Sequence, residues 1–357
     1  MGGLDSRKQA EPQSLDVQLK AAGVDRARVL SGLTRRQLLR RAAVAIALLA
    51  VVVLAIVELP ALHAVRARLA NAQPGWIVAS VVMEAASVAC FALALQRAFK
   101  DSLGPRSAIS LGTTSQGVNA VVPAGGTAGF AFAAVILADA GFPVASTVAR
   151  LIALFLVTSV LTNLVLIILG GGGAAVGLLT AQASLAASVV PAVLALVIVG
   201  AFMLALKSAR GGRWSARPAQ GRVSFLREAV SVSGDLLSDR DPWLVVGALG
   251  YVVCDLVALA AALAALGWGG LGAGTVILGY TLGQLGSVIP LPGATEGGLA
   301  GALALYGAPL SLAVPAVLVY RTIAIAVPLL LAAVGAVQLR HGLDVTGASD
   351  ATWPATT

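Results

Sequence analysis

The chain has 357 residues, 58% of them hydrophobic and 11% charged, with a net charge of +8 and a mean hydropathy of +0.92. These values exclude an ordinary soluble domain and point to an integral membrane protein. The apolar runs are continuous rather than alternating, which excludes an outer-membrane barrel and leaves an all-α integral membrane fold.

Residues 1–41 form a polar, basic arm, partly disordered by composition, with an amphipathic pattern around Val17–Leu39 suited to the membrane surface. The basic stretch is too long for a cleaved leader, so Ala42–Val57 reads as an uncleaved first span. A second span covers about Trp76–Leu95. The apolar segment at about Ile109–Leu137 is broken by Pro and Gly. Spans follow at Ser146–Leu169 and Ser184–Leu206, with a turn expected at Gly170–Gly173 between them. Lys207–Pro242 is a polar loop. Trp243–Leu266 spans again, Thr275–Leu305 is a second broken segment, and Leu312–Leu339 is the last span before a short polar tail, 341–357. The membrane domain is thus 42–340, with repeat one at about 76–206, a loop at 207–242 and repeat two at about 243–339.

The two broken segments are copies. At an offset of 167 residues, Leu111, Gly112, Thr114, Val121, Pro123 and Gly126 fall on Leu278, Gly279, Thr281, Val288, Pro290 and Gly293, and Trp76 falls on Trp243. Pro and Gly free backbone groups that lipid cannot satisfy, so such segments survive only inside protein or beside a wet cavity. Paired interruptions in two halves of a membrane protein mark a transport site.

Charge placement sets the topology. Nine basic residues lie in the first 41 positions and seven between Lys207 and Arg240, so both segments belong in the cytoplasm. Basic loops that orient helices account for this charge, so no nucleic-acid partner is expected. Contact with anionic headgroups is a secondary role. About six transmembrane helices satisfy the rule when each broken segment dips in and returns. Single crossings would carry Lys207–Arg240 outside. The expectation is two re-entrant broken-helix hairpins in an inverted repeat, with both termini cytoplasmic in the cell membrane.

Ionisable groups within apolar segments carry the chemistry, because each costs about 2.5–3.5 kcal/mol at a helix centre and asks for a partner. Glu296 follows the second hairpin turn and pairs in expectation with Arg321 or Arg150. Arg150 and Arg321 suit a phosphate, which a guanidinium binds bidentately. A buried ion pair that only holds the hairpin tip is the competing reading. Glu84 and Asp255 lie mid-helix ahead of the two broken segments and form a candidate proton or ion relay. Solvated or helix-pairing carboxylates are the alternative. Asp139 reads as interfacial, and Gln116, Asn119 and Gln284 read as hydrogen-bond glue between helices. Cys90 and Cys254 lack ligand spacing, and the chain holds two His in all, so neither a metal nor a cofactor is expected.

The stretch IPLPGATEGGLAGALALYGAP followed by AVLVYRTIAIAVPLLL resembles the flippase-like transmembrane region of the lysylphosphatidylglycerol synthase family. The matching positions are Pro290, Pro292, Gly293, Glu296, Gly307, Tyr320 and Arg321. Pro123, Gly125, Gly126 and Thr127 correspond to a first-half Pro-x-Gly-Gly. The chain departs in having Gly293-Ala-Thr295 where many members have Gly-Gly-x-Gly. The resemblance implies a stand-alone member without the aminoacyl-transfer domain, not an enzyme. It implies a membrane lipid translocase that moves a phospholipid or lipid-linked molecule through a mid-membrane cavity at the hairpins. Substrate-binding candidates on this reading are Glu296, Arg321, Arg150, Pro292, Gly293, Pro123, Gly125, Gly126 and Tyr320. A non-transporting partner of a lipid-modifying or glycosyl-transferring enzyme remains the alternative. Such an enzyme and a second copy of the chain are the candidate protein partners.

Overall fold

The computed structural model describes residues 15–20, 24–26, 63–99, 102–122, 127–179, 184–210, 232–236, 241–267, 272–288 and 293–339. The first span, Ala42–Val57, lies outside them, as do hairpin residues Pro123, Gly125, Gly126, Pro290 and Pro292. Every regular element in the described residues is helical. In chain order they are α1 (His63–Ala70), α2 (Pro74–Ala98), α3 (Pro105–Val121), α4 (Thr127–Asp139), α5 (Val144–Ala175), α6 (Leu185–Arg210), α7 (Pro242–Ala265), α8 (Ala273–Gly283, prolonged as a 3-10 turn to Val288), α9 (Ala294–Leu305) and α10 (Leu310–Leu339). Five helices, α2, α5, α6, α7 and α10, carry segments long and apolar enough to cross a membrane. They coincide with the five spans expected after the first.

The two broken segments form helix pairs, α3 with α4 and α8 with α9. Their ends are built alike. Pro105 opens α3, and its missing N–H is one that a helix start leaves unpaired anyway. The second arm of each pair stops at a left-handed glycine, Gly141 (φ 92°) or Gly307 (φ 95°). There Phe142 N–H bonds Leu137 C=O and Ala308 N–H bonds Leu303 C=O, the 6→1 closure that needs a positive φ.

One sequence expectation fails. Gly170–Gly173 is not a turn, because α5 continues as helix to Ala175. These glycines serve packing instead. A Cβ on Gly170 would meet the Leu278 side chain, and one on Gly171 would meet the Ser188 carbonyl. A π-helical turn at Leu156–Leu161 interrupts the same helix, and Thr162 Oγ1 donates to Val157 C=O, five residues back, at 2.9 Å.

Helices α2 and α7, equivalent under the sequence repeat, pack antiparallel along their whole length. Gln73 N–H bonds Ala265 C=O, Ser80 Oγ bonds Ala258 C=O, and Ser87 Oγ bonds Tyr251 C=O. Each step of seven along α2 is a step of seven backwards along α7, and Arg97 reaches Asp241 (3.9 Å) at the far end. Further contacts also cross between halves. Helix α3 of the first pair packs on α10, and α8 of the second packs on α5.

Two apolar clusters mark the ends of the bundle. One joins Phe99, Leu103, Leu137 and Phe142 with Leu19 of the N-terminal arm and Leu236 of the middle loop. Arg26 of the arm bonds Asp139 at 2.9 Å there. The other joins Leu266, Val276, Ala308 and Leu312 with Leu69 and Ala72. The open end of the first helix pair thus lies with the first cluster, and that of the second pair with the second.

Candidate functional site: a buried polar cluster at mid-bundle

Depth along the helices brings the charged residues to one level. Glu84 lies ten residues into α2, Asp255 ten residues before the end of α7, and Arg321 eleven residues into α10. At 1.5 Å per residue each stands about 15–17 Å from the same end of the bundle, near the middle of a core about 30 Å thick.

Asp255 is the hub. Its Oδ2 accepts from Tyr280 Oη and its Oδ1 from Tyr320 Oη, both at 2.6 Å. Tyr280 and Tyr320 are 3% and 1% exposed, so the bonds are sheltered from water. Glu84 is equally buried and touches the Asp255 carboxyl. Its Oε2 has no hydrogen-bond partner. Tyr251 closes the group, with its ring on Phe91 and its hydroxyl against Gln116.

Beside this cluster, Arg321 Nε donates to Glu296 Oε1 at 2.9 Å. Glu296 sits in the first turn of α9, where exposed N–H groups favour an anion, and Gly293 (φ 83°) caps that helix. The two side chains stay 25% and 31% accessible. A charged pair open at this depth faces something other than packed protein.

Of the expected pairings, the structure makes Glu296 with Arg321. Arg150 lies elsewhere: its Nη1 bonds Ala98 C=O (2.8 Å) at the last turn of α2. There a cation complements a helix C-terminus. Tyr320 is turned to Asp255 rather than to an open face. Asn119 Oδ1 accepts from Gly129 N–H at 2.6 Å, which binds α3 to α4, while Asn119 Nδ2 donates to Gln116 at 3.2 Å within α3. Pro123, Gly125, Gly126 and Pro292 lie outside the described residues. No group of three or more metal-ligating side chains gathers among the described residues.

Sequence reading passed over Tyr251 and Tyr280. The signal was present: the chain has four tyrosines, and three of them converge on Asp255 and Glu84. A phenol in the middle of an apolar helix needs a partner for its hydroxyl, which makes it a pointer to buried polar groups.

Searches of curated proteins and of solved structures each found no match. The family described as "Lysylphosphatidylglycerol synthase TM region" matches residues 42–332, which includes both helix pairs and the whole polar cluster. The chain therefore belongs to the lysylphosphatidylglycerol synthase transmembrane-region family.

Proposed function

We propose that this protein is a membrane lipid translocase rather than an enzyme, moving a phospholipid or lipid-linked molecule between leaflets. The observation that carries the reading is the Glu296–Arg321 pair, held open at mid-bundle beside a buried polar cluster. An accessible guanidinium at that depth suits a lipid phosphate, and Glu296 suits a cationic part of the headgroup or a resting counter-ion. Family membership ties the chain to lipid biology.

The mechanism follows from an inverted repeat. Antiparallel packing of α2 on α7 supports inversion, because the two are equivalent in the repeat. Placement of the two hairpin mouths in opposite end clusters supports hairpins that enter from opposite faces. The basic arm shares its end with Leu236 of the middle loop and Leu339 of α10, in keeping with cytoplasmic termini in the cell membrane. Rocking of one half against the other then opens the Arg321 site to each leaflet in turn.

The test is a proteoliposome assay with fluorescent phosphatidylglycerol and phosphatidylcholine, read by dithionite quenching of outer-leaflet label. Wild type should move label to the inner leaflet at least tenfold faster than empty vesicles, and Arg321→Gln should lose most of that rate. Wild-type vesicles that move neither lipid would sink the translocase reading. Co-purification of a lipid-modifying or glycosyl-transferring enzyme would then favour the partner role.

A further inference from the structure

Glu84 and Asp255 lie where the two halves meet. The equivalent helices α2 and α7 cross as antiparallel partners, with Ser80 against Ala258 and Ser87 against Tyr251. Under the 167-residue repeat, Glu84 is equivalent to Tyr251 and Asp255 to Val88. Only near these residues do a position and its repeat equivalent face each other. The carboxyl pair therefore sits near the axis that relates the halves, where residues of both halves surround it.

Two carboxyl groups in contact need a proton between them, since a carboxylate accepts hydrogen bonds but donates none. Both oxygens of Asp255 already accept from Tyr280 and Tyr320, which suits Asp255 as the charged member. Glu84, 6% exposed and with Oε2 lacking any donor, suits the member that holds the proton. A charged carboxylate would leave that buried oxygen uncompensated, whereas a carbonyl oxygen tolerates it better. Among the described residues, the other titratable or charged groups facing the pair are Tyr251 and Cys254 on α7, Tyr280 on α8, and Tyr320 and Arg321 on α10; Cys90 of α2 stands beside Cys254, and Glu296 of α9 beside Arg321. Helix α3 contributes the neutral Gln116. Arg321 is the one cation among them, and Glu296 neutralises it at rest.

We propose that Glu84 and Asp255 form a proton-carrying site near the axis between the halves, loaded and emptied as the protein changes which leaflet it faces. This rests on the translocase reading. The proton adds to the Glu84 carboxylate as H⁺ from one face and leaves as H⁺ to the other, with no bond to carbon broken. A lipid phosphate at Arg321 and a proton at Glu84 cancel one another's charge in a low-dielectric region, so the two travel together.

The test uses the full chain in proteoliposomes with fluorescent phosphatidylglycerol and an imposed pH gradient. Label transfer should accelerate at least threefold when the proton gradient runs with the lipid and slow when it opposes. Glu84→Gln, nearly isosteric, should retain residual transfer that ignores the gradient. Wild-type transfer that is insensitive to pH gradients, or that follows a sodium gradient instead, overturns the proton site and leaves the translocase standing. If wild type moves no lipid, the translocase reading fails by itself, and infrared difference spectra decide the proton site. A protonated-carboxyl band that titrates in wild type and disappears in Glu84→Gln supports it, and absence of that band overturns it.

Discussion

Neutralising Glu296 and Arg321 singly and together separates holding the hairpin from handling lipid. The pair is 2.9 Å apart with side chains 25% and 31% accessible. It therefore falls between an exposed ion pair, worth about 0.2–1 kcal/mol, and a fully buried one, whose breakage costs about 3–5 kcal/mol. Glu296→Gln leaves a guanidinium unpaired about 17 Å along α10, and Arg321→Gln leaves a carboxylate at the start of α9. Each should lower stability by about 1–3 kcal/mol. The double variant keeps an amide–amide contact, so its loss should fall short of the sum by about 1–2 kcal/mol. Reversible unfolding in mixed micelles, followed by tryptophan fluorescence, measures all four corners of the cycle. Lipid transfer is read on the same samples. The double variant should regain stability but not transfer, because a neutral pair cannot hold a phosphate. A coupling energy within about 0.3 kcal/mol of zero would show that the pair does not form. Full transfer in the double variant would show that the charges only hold the hairpin.

Three further expectations follow from the packing. Tyr280→Phe and Tyr320→Phe each remove one 2.6 Å bond to Asp255 and should each cost about 1–2 kcal/mol in the same unfolding assay. Gly335→Ala should cost about 1–3 kcal/mol, because the new Cβ would lie 2.9 Å from the Ser110 carbonyl oxygen and closer still to Thr113 Oγ1. Gly301→Ala, with nothing within 4 Å, is the neutral control, and equal melting of the two variants would refute the close approach. Asp139→Asn should change stability by less than about 1 kcal/mol, since it loses only a partly exposed pair to Arg26. It should nevertheless speed tryptic cleavage of the N-terminal arm severalfold, and an unchanged digestion rate would argue against docking of the arm.

Much of this architecture is legible in the residues. The long spans follow from apolar length alone, and Pro and Gly placement locates both helix pairs; Gly307 at the end of the second enters only through the family pattern, and sequence reading passes over Gly141 at the end of the first. The partnership of Glu296 with Arg321 is also foreseeable, because both groups must leave lipid and their helices adjoin. Less legible is what depends on approach angles between distant helices. Nothing local says that Gly170–Gly173 stays helical; that outcome depends on α8 and α6 arriving to fill the space a side chain would take. The spacing of Glu84, Asp255, Tyr280 and Tyr320 shows no pattern along the chain, since four different helices deliver them. Arg150 looks like Arg321 in sequence, yet its helix ends up against the last turn of α2.

The first hairpin is covered by the final helix of the opposite half, and this governs the order of assembly. The Ser110 hydroxyl meets its partner Gln338 across 228 residues of chain. During synthesis, the polar face of α3, with Ser110, Thr113 and Thr114, therefore waits for α10, the last of the described helices. An early stop within α10 would strand that face in lipid even though repeat one is complete. Shielding of the first hairpin therefore distinguishes a closed bundle from one that lacks α10.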